Sequence, residues 1–407
     1  MSVVRKIPAI DAPAGDFTSL QAAVQNGCDA VYLGLQQLNM RAMSRNFSID
    51  DLPAVKEICD EAGVEINLTV NTIVFDPERD EAERMLRAAT PFIDGVICWD
   101  PAIIELCRKL GIPYHVSTQA SVANTSSALF YQRLGAKRIT LARECSLEEL
   151  RAIKDKSGLE LEVFGHGAMC VSISGRCFIS QFLDGKSANR GECLQHCRRE
   201  FLIRDSPDPG REELRLGSNY IMSAQDLCTI PFLDKLVATG IDYIKIEGRG
   251  KSANYVATVT RCYRRALDAI AENCFDDDLK KELLEDLKSV YNRDFSNGFY
   301  FNRPISDFTD VHGSKATEKK VYVGEVTNYY RKLSVAEIRV LDREFEIGDK
   351  LLFEGPATGS RETVINEIRQ NDIQINKAER GFVTTPVVER VRRNDSVYQL
   401  ATAGQKE

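Results

Sequence analysis

A chain of 407 residues with 43% hydrophobic and 28% charged residues has room for two domains or one large barrel with an appendage, and its composition excludes a disordered protein. Its apolar runs are short and interrupted, none approaching the ~20 residues of a membrane span, and Met1–Pro8 lacks the apolar core of a secretory signal. A cytoplasmic protein without membrane contact is therefore expected. The net charge of −7 excludes a molecule that attracts nucleic acid as a whole, so any such contact needs a local basic face.

From Ile7 to Gly248, short apolar runs alternate with amphipathic segments. The runs are Ile7–Ala12, Ala30–Leu35, Glu65–Asn71, Gly95–Asp100, Tyr114–Thr118, Arg138–Arg143, Leu159–Phe164 and Tyr243–Glu247. Continuous apolar character fits strands covered on both faces of a parallel sheet. Helices are expected over Phe17–Gln25, Ile49–Ala62 and Pro77–Ala89, with Asp16 and Ser48 as N-caps and Gly27, Gly63, Gly111 and Gly135 at helix ends.

Eight such repeats predict a (β/α)8 TIM-like barrel over residues 1–310. A doubly wound sheet is disfavoured, because GDFTSL rather than a Gly-rich phosphate fingerprint follows the first strand. Barrel chemistry sits at the C-terminal strand ends. Those ends hold Asp11, Arg41, Asn71, Asp100, Gln119, Arg143, Glu144, His166, Glu247 and Arg249.

The rhythm breaks once, between Phe164 and Tyr243, where an insertion over about 165–240 carries five of the twelve cysteines. After the barrel, helices are expected over Ala253–Glu272 and Leu279–Tyr291. From about 318 to 400 the texture becomes alternating, with frequent turns, and predicts a small all-β barrel.

The spacing Cys170-x6-Cys177-x15-Cys193-x3-Cys197, with Cys228 beyond, places four thiols in one loop region among Gly, Ser, Asn and Arg rather than core residues. Without an export signal these read as metal ligands before disulfides. Only Cys193 and Cys197 are as tightly spaced as a structural zinc pair, whereas an iron–sulfur cluster accepts wider spacing. Both metals stay open on spacing alone. The remaining cysteines read as buried small hydrophobes. A serine hydrolase would need G-x-S-x-G and a zinc protease H-E-x-x-H, and neither motif occurs. Cys170 with His166 is the sole near Cys–His pair for a cysteine protease.

The segments HGAMCVSISGRCFIS, NRGECLQHCRREF, SAQDLC and IKIEGRGKSANYVATVTRCYRRALD resemble the peptidase U32 family. APAGDFTSLQAAVQNGCDAVYLGL, NTIVF, HVSTQASVANT and GAKRITLAREC match it in the same order. The resemblance covers roughly Ile10 to Tyr300, and the β-rich tail is similar to the barrel many members carry.

It implies one of two activities: collagenase-like proteolysis, or hydroxylation of RNA without molecular oxygen. The hydroxylase branch implies a [4Fe-4S] cluster on Cys170, Cys177, Cys193 and Cys197, with Cys228 as the alternative fourth ligand. It also implies prephenate as hydroxyl donor and RNA, foremost tRNA, as substrate. On that reading Arg41, Asn71, Gln119 and Arg249 bind the donor, while Arg143, His166 and Glu247 serve catalysis. Phosphate contacts would come from a rim holding Arg190, Arg198, Arg199, Arg204, Arg249 and Lys251, and a homologous partner subunit is a further expectation. A zinc-stapled RNA-binding scaffold is the non-enzymatic alternative.

Overall fold

The computed structural model describes residues 7–201, 220, 222–301, 304 and 307–403; Arg204 and the rest of the 202–219 stretch of the insertion lie outside them. All eight expected runs form parallel strands. They are β1 (Ala9–Pro13), β2 (Ala30–Leu33), β3 (Glu65–Thr69), β4 (Gly95–Cys98), β5 (Tyr114–Val116), β6 (Arg138–Thr140) and β7 (Glu160–Ala168), followed after the short β8 (Asp226–Cys228) by β9 (Tyr243–Ile246). Each pairs with its neighbour in order, and β9 pairs with both β1 and β7, which closes the barrel. β8 is absent from the sequence reading. It runs antiparallel to the protruding end of β7, His166 opposite Cys228, and a two-residue strand, β10 (Phe295–Ser296), extends that edge.

Local chemistry explains the helical ring. Asp16 caps α1 (Phe17–Gln25) by accepting the Ser19 N–H at 2.8 Å, satisfying a donor the first turn leaves free. The expected Ile49–Ala62 helix opens with one 3-10 turn before α2 (Leu52–Ala62), which stops at Gly63 in the left-handed conformation. Next come α3 (Arg79–Ala89), α4 (Pro101–Leu110), α5 (Thr125–Arg133) and α6 (Leu147–Lys156). The insertion adds the short α7 (Ile179–Asp184), and α8 (Leu233–Val237), α9 (Ala253–Ala271) and α10 (Asp277–Ser289) complete the ring. β2 and β4 are buried along their whole length, the signature of strands covered by helices outside and filled inside.

The barrel interior is unusually ionic. At its N-terminal end Arg138, wholly buried, bonds Glu65 at 3.0 Å and Glu160 at 3.0 Å, and its guanidinium lies 3.2 Å from the Tyr243 ring centre. One layer up, Lys245 pairs with Asp11 and lies 3.2 Å from Glu162, which accepts the Thr140 hydroxyl at 2.5 Å. Burial pushes the Asp11 carboxyl up to about 7 even beside Lys245. Burial also opposes charge on Glu162, but Lys245 and Arg138 outweigh it and hold that carboxyl low. The layer therefore settles with one fully charged carboxylate and one that shares a proton near neutrality.

The C-terminal region is an antiparallel all-β unit between Glu318 and Thr402 with its own apolar core around Val326, Ile338, Phe353 and Val397. Eight of its strands form one sheet, and no ladder among the described residues joins the sheet's two end strands, Gly359–Val364 and Ile373–Ile375. The unit packs on α1 and α9. Its Glu354 accepts the Asn254 N–H at 3.1 Å in the first turn of α9, where a carboxylate also meets the favourable end of the helix dipole.

Arg138→Met should destabilise the fold by ~3–5 kcal/mol, because Glu65 and Glu160 lose the guanidinium they bond and buried Glu162 is left with Lys245 alone. Urea unfolding of both proteins at neutral pH measures the difference; a loss below ~1 kcal/mol would show that water, not Arg138, neutralises the barrel floor.

Candidate active site

A cavity of about 220 Å³ opens at the C-terminal end of the barrel and is roofed by the insertion. Cys170, Cys177, Cys193 and Cys197 all line it, together with Arg41, Asn71, Gln119, Arg143, Glu247 and Arg249. These ten residues come from strand ends and loops far apart in the chain. Cys228 is not brought there. It is buried in β8 behind the wall, where burial pushes its thiol up to about 12.

The thiols are held by the local backbone. Cys170 accepts the Ser172 N–H and Cys177 the Ile179 N–H, each at 3.4 Å, and Asn189 fixes the Cys177 N–H at 3.1 Å. Gly191 sits so close to the loop after β2 that a Cβ would meet the Asn39 carbonyl oxygen at 2.2 Å, so a side chain there would lift the Cys193 turn off the barrel. Burial raises the Cys197 pKa, partly offset by adjacent Arg198. Among the described residues no three His, Cys, Asp or Glu side chains gather tightly enough to hold a single metal ion. The four thiols stand around a cavity rather than about a point.

Glu247 organises the opposite wall. Arg41 bonds it at 2.9 Å and Arg143 lies 3.6 Å from its other oxygen. Burial works against the carboxylate, but the two guanidiniums outweigh it and hold its pKa below the ordinary 4.5. Arg143 also donates to the Ala168 carbonyl at 2.9 Å and stacks 4.0 Å above the Phe164 ring.

Arg249 is buried among neutral partners: Thr69 at 2.8 Å, Asn39 at 3.1 Å, and Asn46. Burial lowers its pKa to about 10, and its Nε has no partner. Asn71 spends its side chain on the Met40 N–H at 3.1 Å, and Gln119 pairs with Ser117, so both shape the wall as well as facing the cavity.

His166 stands apart from this group. The alternation that points Glu162 and Phe164 inward would do the same for His166, but a bulge between Phe164 and His166 reverses the phase. Gly165 permits it, since a Cβ there would meet the Ile244 side chain at 2.4 Å. The imidazole consequently lies outside the barrel wall among Tyr255, Tyr263 and Phe295, with ring centres 5.5–6.0 Å away, and burial drives its pKa down to about 3.

Asp11 belongs to the interior ion layer, and Asp100 is spent capping α4, accepting the Ala102 N–H at 2.9 Å. Of the expected basic rim, Arg198 and Arg249 face the cavity and Arg199 is exposed. Arg190 is committed to Glu78, and Lys251 lies 3.1 Å from the Tyr291 ring centre, outside the cavity. The sequence reading missed Arg293 and Lys245 as wall residues; the Lys245 alternation on β9 was the available signal.

The profile of peptidase family U32 matches residues 15–309 of this sequence. The chain belongs to peptidase family U32. Within that family, a collagenase of Porphyromonas gingivalis is 37% identical over 405 residues, covering 96% of this chain and 97% of that protein. The tRNA hydroxylation protein P1 of Bacillus subtilis is 35% identical, covering 87% and 85% respectively. A 23S rRNA 5-hydroxycytidine synthase of Escherichia coli is 36% identical over 261 residues, or 64% of this chain and 39% of its own. Relatives of nearly equal similarity in the U32 family thus carry names for two different chemistries. No helix among the described residues is long and apolar enough to cross a membrane.

Glu247→Gln should lower stability at neutral pH, because Arg41 and Arg143 lose their shared counter-charge. Glu247 has a depressed pKa, so its contribution is complete above about 4.5 and fades as pH falls through the folded-state value. Thermal melts of wild type and variant should differ at pH 7 and converge in acid; a gap that persists at pH 3 would mean that the carboxylate acts by shape alone.

Proposed function

We propose that this U32 protein is an RNA hydroxylase, acting foremost on tRNA uridine, with a [4Fe-4S] cluster and a carboxylate-bearing hydroxyl donor such as prephenate. The observation that carries this reading is the charge of the cavity. Six cationic side chains line it (Arg41, Arg143, Arg198, Lys245, Arg249 and Arg293) against the single carboxylate of Glu247. Lys245 and Arg293 are neutralised from behind by Asp11, Glu162 and Asp226, but Arg198 and Arg249 have only neutral partners among the described residues. Buried cations that outnumber their counter-ions are costly. Thiolates carrying a cluster and a donor with carboxylates supply the missing negative charge.

The donor set fits the cluster. Four thiols with no imidazole or carboxylate among them are soft ligands, and backbone N–H groups directed at two of the sulfurs orient them. When bound, such a cluster supplies redox chemistry to the cavity. Arg249 and Arg143 would grip donor carboxylates, for which guanidinium is suited by its paired donors. Glu247, ionised between two arginines, would accept the proton released at the reacting base once Arg41 swings to the incoming donor. Phe164 and Tyr32 wall the cavity against water.

The collagenase name of one relative favours the second reading, a peptidase. That reading lacks a nucleophile–base pair in the cavity: no histidine lines it among the described residues, and His166 faces away from Cys170's side of the wall.

Anaerobically purified protein should absorb near ~400 nm. Cys197→Ser should remove that band and Cys228→Ser should leave it. Nucleoside analysis of RNA from a deletion strain should show loss of a hydroxylated pyrimidine, restored by the wild-type gene and not by Arg143→Ala, although that variant keeps the absorption. Unchanged nucleosides together with peptide cleavage by the wild-type protein that Cys170→Ser abolishes, whatever its iron content, would establish the peptidase instead.

A further inference from the structure

The roof of the cavity presents apolar side chains to solvent. Phe178 immediately follows Cys177 and is 61% exposed, and Phe182, one turn along α7, is 84% exposed. Their ring centres are 6.1 Å apart and their planes are inclined by 42°. Val171 and Met43, which line the cavity, are solvent-exposed as well. Nothing in the fold requires two phenylalanines here. α7 is anchored by other means, through His196 bonded to Asp184 and the Leu194 N–H bonded to Ser180 at 3.1 Å.

Resting on the RNA reading above, we propose that Phe178 and Phe182 form a stacking platform for the nucleobases beside the reacting one, and so select unpaired RNA. A base that reacts inside a closed cationic cavity must leave its helix, and its neighbours then lose a stacking face. Exposed aromatic rings at the entrance replace that face, and every base has a π surface to offer them. The inclination of the two rings suits successive bases splayed apart rather than a continuous stack.

Charge at the patch agrees. Arg199, exposed and without a carboxylate partner among the described residues, follows the turn that His196 ties to α7, where it meets a phosphate rather than an apolar partner protein. Duplex RNA, with its bases stacked inside, would offer the rings nothing.

The test uses the full chain, purified anaerobically, and fluorescence anisotropy with a short RNA hairpin bearing an unpaired loop and with a blunt duplex of equal length. Phe178→Leu/Phe182→Leu keeps the surface apolar and removes its π faces, and both sites are exposed enough to leave folding intact. Hairpin affinity should fall about tenfold or more, while duplex affinity and the salt dependence of binding stay as in wild type. Equal hairpin affinity in wild type and the double Leu variant would overturn the platform and leave the RNA reading standing. Wild-type protein that binds neither RNA would overturn both. Light scattering supplies the remaining outcome: a wild-type dimer that survives the Leu pair and dissociates with Phe182→Asp would make the patch a subunit interface, and the proposal would fall.

Discussion

Charge inside the barrel has to be balanced, and much of the architecture follows from that constraint. A (β/α)8 interior is commonly packed with branched apolar side chains. Here Arg138, Glu65, Glu160, Glu162, Lys245 and Asp11 occupy two of the layers. Each is held by strands whose register puts opposite charges within bonding distance, so the ion pairs and the strand pairing depend on one another. In the lower layer Arg138 holds Glu65 and Glu160 together. In the upper one burial raises the Asp11 carboxyl while Glu162 stays charged, and Lys245 reaches the cavity floor.

Above that floor the balance is deliberately incomplete. Glu247 neutralises part of Arg41 and Arg143, while Arg249 and Arg198 are fixed by hydroxyl, amide and carbonyl oxygens that orient a guanidinium without cancelling it. An acidic molecule therefore keeps its positive potential in one enclosed place, where a low dielectric makes it strong. The barrel positions the arginines of the cavity, and the insertion brings four cysteines over it.

The β unit contributes from the other side. Glu354 reaches across to the first turn of α9, the helix that follows the loop carrying Glu247 and Arg249. Tyr255, in that same turn, donates to the Glu247 carbonyl at 2.9 Å. The C-terminal unit is thus mechanically joined to the backbone that presents the central carboxylate.

The barrel was legible in the sequence because strands buried on both faces write continuous apolar runs, and because glycines at positions such as Gly63 and Gly111 end helices for a local steric reason. The four cysteines were legible as a group because they share one insertion. Their arrangement about a cavity was not, since it depends on Gly191 letting that insertion touch the loop after β2. His166 shows the limit most clearly: period-two alternation aimed it inward, and a bulge at Gly165 turned it out, a change of phase that no spacing rule records. Which arginine meets which carboxylate was likewise undecided in the sequence, because Arg41, Arg143 and Glu247 are separated by about a hundred residues or more and meet only once the barrel closes. Local backbone preferences and burial periodicity are written residue by residue; the field in the cavity is a sum over distant strands, and only tertiary structure performs that sum.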